Sequence, residues 1–237
     1  HWKAINRSKY QFDQASIEFE LGYQRNDRQE FNDYINHGYM PEYLPENSSF
    51  PENLERAFLK DIFSANLHSI FNTDKHHFHI SLSSEFQHNQ IDGYGFIIPA
   101  FQLWSGGIAL YDKWTLSEYW LLHAGLRYDF GRIMIEEYRD WFTSSGSAGE
   151  EFLLRAASQE RIFQNPSWAI GVSYDKDHLH IKFNAGKSFR MPIAKELAAN
   201  GVNYHHFSYE KGNPDLDAEK AYQIDGVFEW HQEQWAV

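Results

Sequence analysis

The sequence has 237 residues and a formal net charge of −12, from 21 Lys and Arg against 33 Asp and Glu. Nucleic acids and anionic membrane surfaces are bound through clustered cations, so this acidic surplus argues against both as partners. The absence of cysteine excludes disulfides and thiolate chemistry. No apolar run approaches the roughly 20 residues of a membrane-spanning helix.

The first predicted strand runs from Ala15 to Tyr23, where apolar residues at odd positions alternate with polar residues at even positions. Successive side chains of a strand point to opposite faces, so this strand has one apolar and one polar face. A soluble sheet turns the polar face outward, whereas a transmembrane barrel turns its apolar face to lipid. The alternation alone leaves both arrangements open.

Seven further segments repeat the alternation, which predicts about eight strands in all. They lie near residues 58–72, 78–87, 107–113, 120–129, 168–174, 179–188 and 222–230. The fifth strand is the clearest, since Trp120, Leu122, Leu126 and Tyr128 share one face. Trp120 and Tyr128 are eight residues apart, which corresponds to about 26 Å along a strand. An apolar band of about 25 Å edged by aromatic residues is typical of transmembrane barrels.

The connections between these strands alternate in length. Those near 25–56, 130–166 and 190–220 have about thirty residues or more, while those near 73, 116 and 176 have only a few. Compact soluble domains seldom contain several unstructured connections longer than about 15 residues. Outer-membrane barrels combine short turns on one side with long loops on the other. The sequence therefore predicts an all-β fold, a partial antiparallel transmembrane β-barrel with meander topology.

Several spaced sequence elements between residues 184 and 226 resemble the barrel of TonB-dependent outer-membrane receptors. They follow the pattern G-x-x-F-R-x-P…E-L…N-G…Y-E-x-G-N-P-x-L-x-x-E in order, as Gly186 to Pro192, Ala194 to Gly201, Tyr209 to Leu216 and Glu219. Upstream, Gly22–Phe31 and Gly125–Asp129 are similar to strand exits of the same family. The resemblance covers most of the chain.

The resemblance implies a receptor in the bacterial outer membrane that imports a scarce nutrient with energy from the TonB system. Such receptors have a barrel of about 22 strands, a plug domain inside it and a short box that binds TonB. The implied partners are outer-membrane lipid, the plug, the TonB complex and a metal chelate, haem or metal ion. The chain opens at His1 and stops in Trp235-Ala236-Val237, so we expect residues 1–237 to form one partial barrel domain within a longer protein.

The same stretch predicts a structured connection after the seventh strand. Pro192 suits a helix start, and Asn200-Gly201 suits a left-handed cap after a short helix over 193–199. A turn is predicted at Gly212-Asn213-Pro214. Arg190 is expected to pair with an acidic residue and fasten this connection over the polar face; the candidates are Glu196, Glu210 and Glu219.

Tyr204, His205, His206 and Phe207 are the candidate ligand-binding residues. In some receptors of the resembled family a similar N-G…H loop belongs to a metal-ion or metal-chelate group, so the resemblance implies metal contact by His205 and His206. The aromatic side chains of Tyr204 and Phe207 suit stacking on a chelate or a porphyrin; the alternative is an exposed loop pair. His77 and His79 also share a strand face, but their spacing alone does not make a metal site.

No catalytic residue or resident cofactor is predicted. The sequence lacks a phosphate-cradling Gly loop and the G-x-S-x-G and H-E-x-x-H motifs. Strand alternation already accounts for carboxylates such as Glu18, Glu20 and Glu85. Two other functions remain open. One is a soluble all-β carbohydrate-binding or carbohydrate-active module with aromatic residues stacked on sugars, and the other is a passive porin.

Overall fold

The computed structural model describes residues 1–146, 149–203, 208–232 and 235–236. These residues form fourteen strands and one short helix. Among them, no helix is both long and apolar enough to cross a bilayer. In chain order the elements are β1 (Trp2–Gln11), β2 (Ala15–Phe31), β3 (Leu54–Asn72), β4 (His76–Asp92), β5 (Phe101–Thr115), β6 (Trp120–Ile135), β7 (Tyr138–Gly146), β8 (Gly149–Ala156), β9 (Gln159–Lys176), β10 (Leu179–Arg190), α1 (Ala194–Ala198), β11 (Asn200–Asn203), β12 (Ser208–Lys211), β13 (Glu219–Gln232) and β14 (Trp235–Ala236).

Ten of these strands form one antiparallel sheet in the order β1-β2-β3-β4-β5-β6-β9-β10-β13-β14. The sheet is open, with β1 and β14 at its two edges. The other four strands form two separate hairpins, β7–β8 and β11–β12, inside long connections. The prediction of an all-β antiparallel meander is confirmed, and the sheet has ten strands where about eight were expected.

Strand β1 is the main addition to the predicted set. Its register with β2 pairs Ala4 with Tyr23 and Asn6 with Leu21, so the even positions of β1 share the apolar face of β2. Two of those positions, Asn6 and Ser8, are polar. The alternation is therefore too weak to identify this strand from sequence.

Short and long connections alternate strictly along the main sheet. The short turns at 12–14, 73–75, 116–119 and 177–178 meet at one end, here called the short-turn end. The connections at 32–53, 93–100, 136–158 and 191–218 meet at the opposite, long-connection end. The expected unstructured connection at 130–166 is wrong, because β6 and β9 pair from Trp120↔Tyr174 to Ile135↔Gln159.

The sheet has an apolar face and a polar face, which we name by the side chains of β6. The apolar face carries Trp120, Leu126 and Tyr128, and these side chains are 45%, 66% and 47% exposed. It ends towards the long connections at Arg132, which forms an ion pair of 2.9 Å with Glu160 of β9. The polar face carries His123, Arg127 and Asp129 on the same strand. A soluble β-sandwich would cover the apolar face with a second sheet, whereas Trp120, Leu126 and Tyr128 are exposed and no second sheet covers them among the described residues.

Two apolar clusters order the long connections. One joins Ile133 and Ile135 of β6 to Leu197 of helix α1, and the other packs Met40 and Phe50 against Tyr94 and Phe142. Since Ile133 and Leu197 are only 2% and 1% exposed, the cluster holds α1 firmly on the sheet. The connections therefore form a packed layer at the long-connection end.

Candidate functional site

A cavity of about 280 Å³ lies within this layer of packed connections. Segments from four separate connections supply its walls, so the cavity exists only because the connections pack on one another. Six of its lining side chains are large and apolar or aromatic: Tyr39, Met40, Tyr94, Phe96, Phe142 and Tyr209. Asp140, Arg155 and Asn200 supply its polar groups. A concave, mostly apolar site with a few convergent polar groups is the usual form of a small-molecule site.

The charged wall of the cavity is an ion pair across the β7–β8 hairpin. Nε of Arg155 lies 3.0 and 2.8 Å from the two carboxylate oxygens of Asp140. The side chains are only 13% and 4% exposed, respectively. The guanidinium also lies over the ring of Tyr39, at 5.4 Å from its centre. The cavity thus presents a charge-balanced polar wall beside aromatic rings.

Burial has opposite consequences for the two charges. It raises the pKa of Asp140, and the hydrogen bond and charge of Arg155 oppose that rise only in part. Burial also disfavours the charged form of Arg155, but the hydrogen bond and charge of Asp140 outweigh it and raise the pKa of the guanidinium. The carboxylate is the costlier member of the pair, and its charge depends on Arg155.

Asn200 ties the β7–β8 hairpin to the β11–β12 hairpin. Its side-chain amide donates to the carbonyl of Arg155 at 2.8 Å, and its side-chain oxygen accepts from the hydroxyl of Tyr209 at 2.5 Å. Trp141 makes a second link, because its ring N–H donates to the carbonyl of Tyr94 at 3.0 Å. Three connections are therefore cross-linked around the cavity.

Burial raises the pKa of two tyrosine hydroxyls near the cavity, those of Tyr94 and Tyr138. Burial, reinforced by the charge of Glu55, raises the pKa of Tyr94 to about 12. Burial followed by the charge of Asp140 raises the pKa of Tyr138, whose ring stacks on Phe96 with the ring centres 4.0 Å apart. The hydroxyl of Tyr94 donates to the carbonyls of Asn32 and Asp33 at 3.4 and 3.2 Å.

The sequence prediction of ligand contact falls on residues outside the described part of the chain. Tyr204, His205, His206 and Phe207 all lie in the gap between β11 and β12. Val202 of β11 and Tyr209 of β12, on either side of the gap, line the cavity. Metal contact by His205 and His206 stays a prediction.

Arg190 contacts two of its three candidate partners. It donates to both carboxylate oxygens of Glu196 at 2.8 and 2.9 Å and to Glu219 at 3.0 Å. Glu210 is engaged elsewhere, with Lys195 at 2.7 Å and the side chain of Asn203 at 2.9 Å. These contacts link the end of β10 to α1 and to the start of β13.

The motif residues between these contacts shape the backbone. Helix α1 begins after Pro192 as expected, and Glu196 accepts from the backbone N–H of Ile193 at 2.9 Å. The expected left-handed cap at Asn200-Gly201 is wrong, because both residues begin strand β11. A Cβ on Gly201 would overlap the carbonyl oxygen of Phe96, so the close approach of these two backbone segments explains why a glycine is present here.

The predicted turn over Gly212-Asn213-Pro214 closes the connection. The backbone N–H of Asn213 donates to the carbonyl of Glu196 at 2.8 Å, and the side-chain oxygen of Asn213 accepts from the backbone N–H of Asp215 at 3.0 Å. The carbonyl of Pro214 accepts a hydrogen bond from Arg161 of β9. The turn is thereby held on the main sheet.

Sequence reasoning missed Tyr39, Asp140, Phe142 and Arg155. All four lie in segments that were predicted to be unstructured connections. Residues 138–142 read Tyr-Arg-Asp-Trp-Phe, in which neither set of alternate positions is uniformly apolar or polar, so alternation gave no strand signal there. What the sequence did not reveal is that Arg155, 15 residues further on, faces Asp140.

Comparisons with known proteins agree on the family. A family model described as "TonB dependent receptor-like, beta-barrel" matches residues 2–237. No curated protein matches the sequence.

Solved structures share the fold at low sequence identity. The chain is similar to the copper transporter OprC, with a TM-score of 0.67 and 14% identity over 98% of this chain. It is similar to a double mutant of the Serratia marcescens hemophore receptor HasR in complex with its hemophore HasA and heme, with a TM-score of 0.64 and 16% identity over 98% of the chain. A third similar structure is the ferric-catecholate import receptor Fiu of E. coli in its closed form, with a TM-score of 0.57 and 15% identity over 96% of this chain. The chain spans 36%, 36% and 38% of the length of these three proteins.

Proposed function

The chain belongs to the family of TonB-dependent receptor β-barrels, and we propose that it forms part of an outer-membrane receptor that actively imports a scarce nutrient. The single observation that carries this proposal is a cavity at the long-connection end of a sheet that has exposed apolar side chains on one of its two faces. In this proposal the apolar face contacts lipid, the polar face lines the lumen and the cavity receives ligand from outside.

The apolar face supports placement in a bilayer. Its central side chains, such as Leu126 and Phe183, are well exposed, and the ion pair of Arg132 with Glu160 lies beyond the aromatic residue Tyr128. Exposed apolar side chains bounded by aromatic and then charged residues match the lipid-facing belt of a transmembrane barrel. The localisation that we propose is the outer membrane of a Gram-negative bacterium.

The proposed substrate is a metal chelate, haem or a metal ion. Related folds include a copper transporter, a hemophore receptor bound to its hemophore and heme, and a ferric-catecholate import receptor. The aromatic lining of the cavity is suited to planar organic groups, and the Asp140–Arg155 pair offers polar contacts without net charge. The segment 204–207 joins two strands whose residues line this cavity, and its histidines stay the predicted metal contacts.

The proposed partners follow from the same assignment. We expect residues 1–237 to belong to a single barrel domain, with a plug domain against the polar face and energy delivered by the TonB complex. Polar-face groups of β3, β4 and β6 are available for a plug; they include Asn66, Glu85, Arg127 and Asp129. The proposed role is transport, and no residue is assigned to catalysis.

Uptake in metal-starved cells tests the proposal. Cells that express the protein are supplied with a ferric catecholate, hemin or Cu²⁺, and uptake is compared with a strain that lacks TonB. We expect uptake of one of the three probes that disappears without TonB and weakens when Arg155 is replaced by Ala. Uptake that persists without TonB indicates the passive porin, and extraction from membranes without detergent indicates the soluble module. Either result overturns the proposal.

A further inference from the structure

We propose that His68 and His79, on the polar face towards the short-turn end, form a two-ligand site for an imidazole-binding divalent ion such as Cu²⁺, Ni²⁺ or Zn²⁺. The ion would pass this site as cargo and would not reside there as a cofactor. The inference rests on the proposed transport function and narrows its substrate to metal ions that are able to exchange their ligands.

The two rings are placed to share one ion. His68 of β3 is in register with Ser81 of β4, and His79 of β4 is in register with Ile70 of β3, so the histidines are diagonal neighbours on one face. Their ring centres are 5.6 Å apart. Metal–nitrogen bonds of about 2.0–2.1 Å place two rings that ligate one ion at a near-tetrahedral angle with their centres about 5–6 Å apart. The observed separation therefore fits an ion between the rings.

His68 has a ring nitrogen available for a ligand. Its Nδ1 is buried and has no hydrogen-bond partner. Glu18, its register neighbour on β2, is paired with Arg7 at 3.2 Å. A buried polar atom without a partner costs free energy, and a bound metal ion would satisfy this nitrogen. Neutral imidazole is also the form that binds metal.

Two protein ligands suit cargo better than three. Within the described parts of the chain, no group of three histidine or acidic side chains could hold a metal ion. The remaining coordination positions would be filled by water or by ligands that accompany the ion. Passage requires binding strong enough to capture an ion and weak enough to release it. A pair of histidines meets both conditions.

The histidine pair lies further along the proposed route than the ligand cavity. Between them, the polar face forms a second cavity of about 420 Å³ that is lined by Ser64, Asn66, Ser83, Glu85 and Asp129, among others. On β4, Glu85 and Ser83 precede His79 in the direction of the short-turn end. An ion that leaves the ligand cavity along this face therefore meets oxygen groups first and imidazoles afterwards.

The ligand type sets the class of ion. Imidazole binds late first-row divalent ions well, whereas Mg²⁺ and Ca²⁺ prefer oxygen ligands. The expected order of affinity places Cu²⁺ above Ni²⁺ and Zn²⁺. An iron(III) chelate whose ligands fill every coordination position would not bind here, so the site discriminates exchangeable ions from closed chelates.

The test uses the complete receptor, purified in detergent and titrated with Ni²⁺ alone by calorimetry. The variants are His68→Gln, His79→Gln and the double substitution. His88→Gln is the matched control, since strand alternation places His88 on the apolar face of the same strand β4. Folding of each variant is checked by its migration on an unheated detergent gel. If the double variant fails to fold, the two single variants decide the result.

We expect the receptor to bind one Ni²⁺ that the double variant does not bind. Each single variant should weaken binding by more than the roughly tenfold cost of losing a supporting group around a metal. His88→Gln should leave binding unchanged. Equal Ni²⁺ affinity in the receptor and the double variant, or an equal loss in His88→Gln, overturns the site.

Failure of this inference is distinguishable from failure of the proposed function. If the histidine variants bind Ni²⁺ normally while uptake still depends on TonB and on Arg155, the metal site is wrong and the receptor function stands. If no probe is taken up in a TonB-dependent manner, the transport proposal itself fails.

Discussion

Arg155 donates through Nε to both carboxylate oxygens of Asp140, at 3.0 and 2.8 Å, across the two strands of the β7–β8 hairpin. The carboxylate side chain is only 4% exposed, so water cannot replace the guanidinium. A buried ion pair of this kind adds little to the free energy of unfolding compared with a pair of apolar residues. Removal of one partner, however, leaves the other charge buried and uncompensated. The pair therefore makes the hairpin sensitive to single substitutions.

Arg155→Ala should unfold the hairpin locally. Loss of the guanidinium leaves Asp140 buried without a partner, which costs about 3–5 kcal/mol. Hydrogen exchange of the β7 and β8 amides measures this loss directly. Arg139→Ala is the matched control, because Arg139 of β7 also forms an ion pair, with Glu137 in the preceding link, but both side chains are about half exposed. Equal exchange rates in the two variants would show that burial of the Asp140–Arg155 pair does not determine the local stability of the hairpin.

Acid should release the connection that follows β10. The hydrogen bonds from Arg190 and from the backbone N–H of Ile193 hold the pKa of Glu196 below its ordinary value of 4.5. The folded connection therefore binds this proton less tightly than the unfolded one. The contribution of Glu196 to stability is present above pH 4.5 and is lost as pH falls through the lowered pKa.

Hydrogen exchange over residues 191–203, corrected for intrinsic rates, measures this effect between pH 7 and about pH 3. Glu196→Gln should weaken protection at pH 7 and remove most of the acid dependence. Glu118→Gln, in the short turn at 116–119, is the control and should behave like the unsubstituted chain. Identical acid profiles with and without Glu196 would refute the assignment.

Gly201→Ala should displace the β11–β12 hairpin. The added Cβ would overlap the carbonyl of Phe96 and lie 3.0 Å from Cα of Ile97, so the two backbones must move apart. Overpacking of this type costs about 1–3 kcal/mol. Gly226→Ala is the control, because nothing lies within 4 Å of a Cβ there. We expect weaker ligand uptake and faster exchange in β11 for Gly201→Ala alone.

A charged substitution on the apolar face should destabilise the membrane-inserted barrel more than the same substitution on the polar face. Phe183 is 48% exposed on the apolar face, and the next residue, Asn184, is in register with Asp225 on the polar face. Phe183→Lys should destabilise a bilayer-inserted barrel by about 2–4 kcal/mol near the bilayer centre. Asn184→Lys should cost much less. Refolding into phospholipid vesicles at increasing urea concentrations compares them, and equal midpoints would argue against a lipid-facing side.

The sequence was most informative where one face of a strand is uniformly apolar. The faces of β6, β9 and β13 could be predicted because side-chain alternation is a local property. Strand ends were harder to predict, since β6 extends beyond Asp129 to Ile135. Ile133 and Ile135 pack on Leu197 of α1, and that contact between distant segments leaves no local pattern.

The candidate site was less predictable than the sheet. The Arg190 contacts could be anticipated as a choice among three acidic partners, and two of the three contact it. The Asp140–Arg155 pair could not be anticipated, because it depends on an irregular register in a hairpin that was predicted as an unstructured connection. Long-range packing of connections determines the cavity, and strand periodicity carries no information about it.

The β7–β8 hairpin joins the main sheet through two short links, Glu136-Glu137 and Ala157-Ser158. In the described part of the chain it pairs with no strand of that sheet, so tilting of the hairpin about these links would break no strand pairing of the main sheet. Asp140 and Arg155 belong to the same hairpin, and tilting would leave their ion pair intact. The free energy barrier to opening this wall of the cavity would therefore come from unpacking Phe142 from its apolar cluster and from breaking the bonds of Asn200 and Trp141 to neighbouring segments, without any separation of charge.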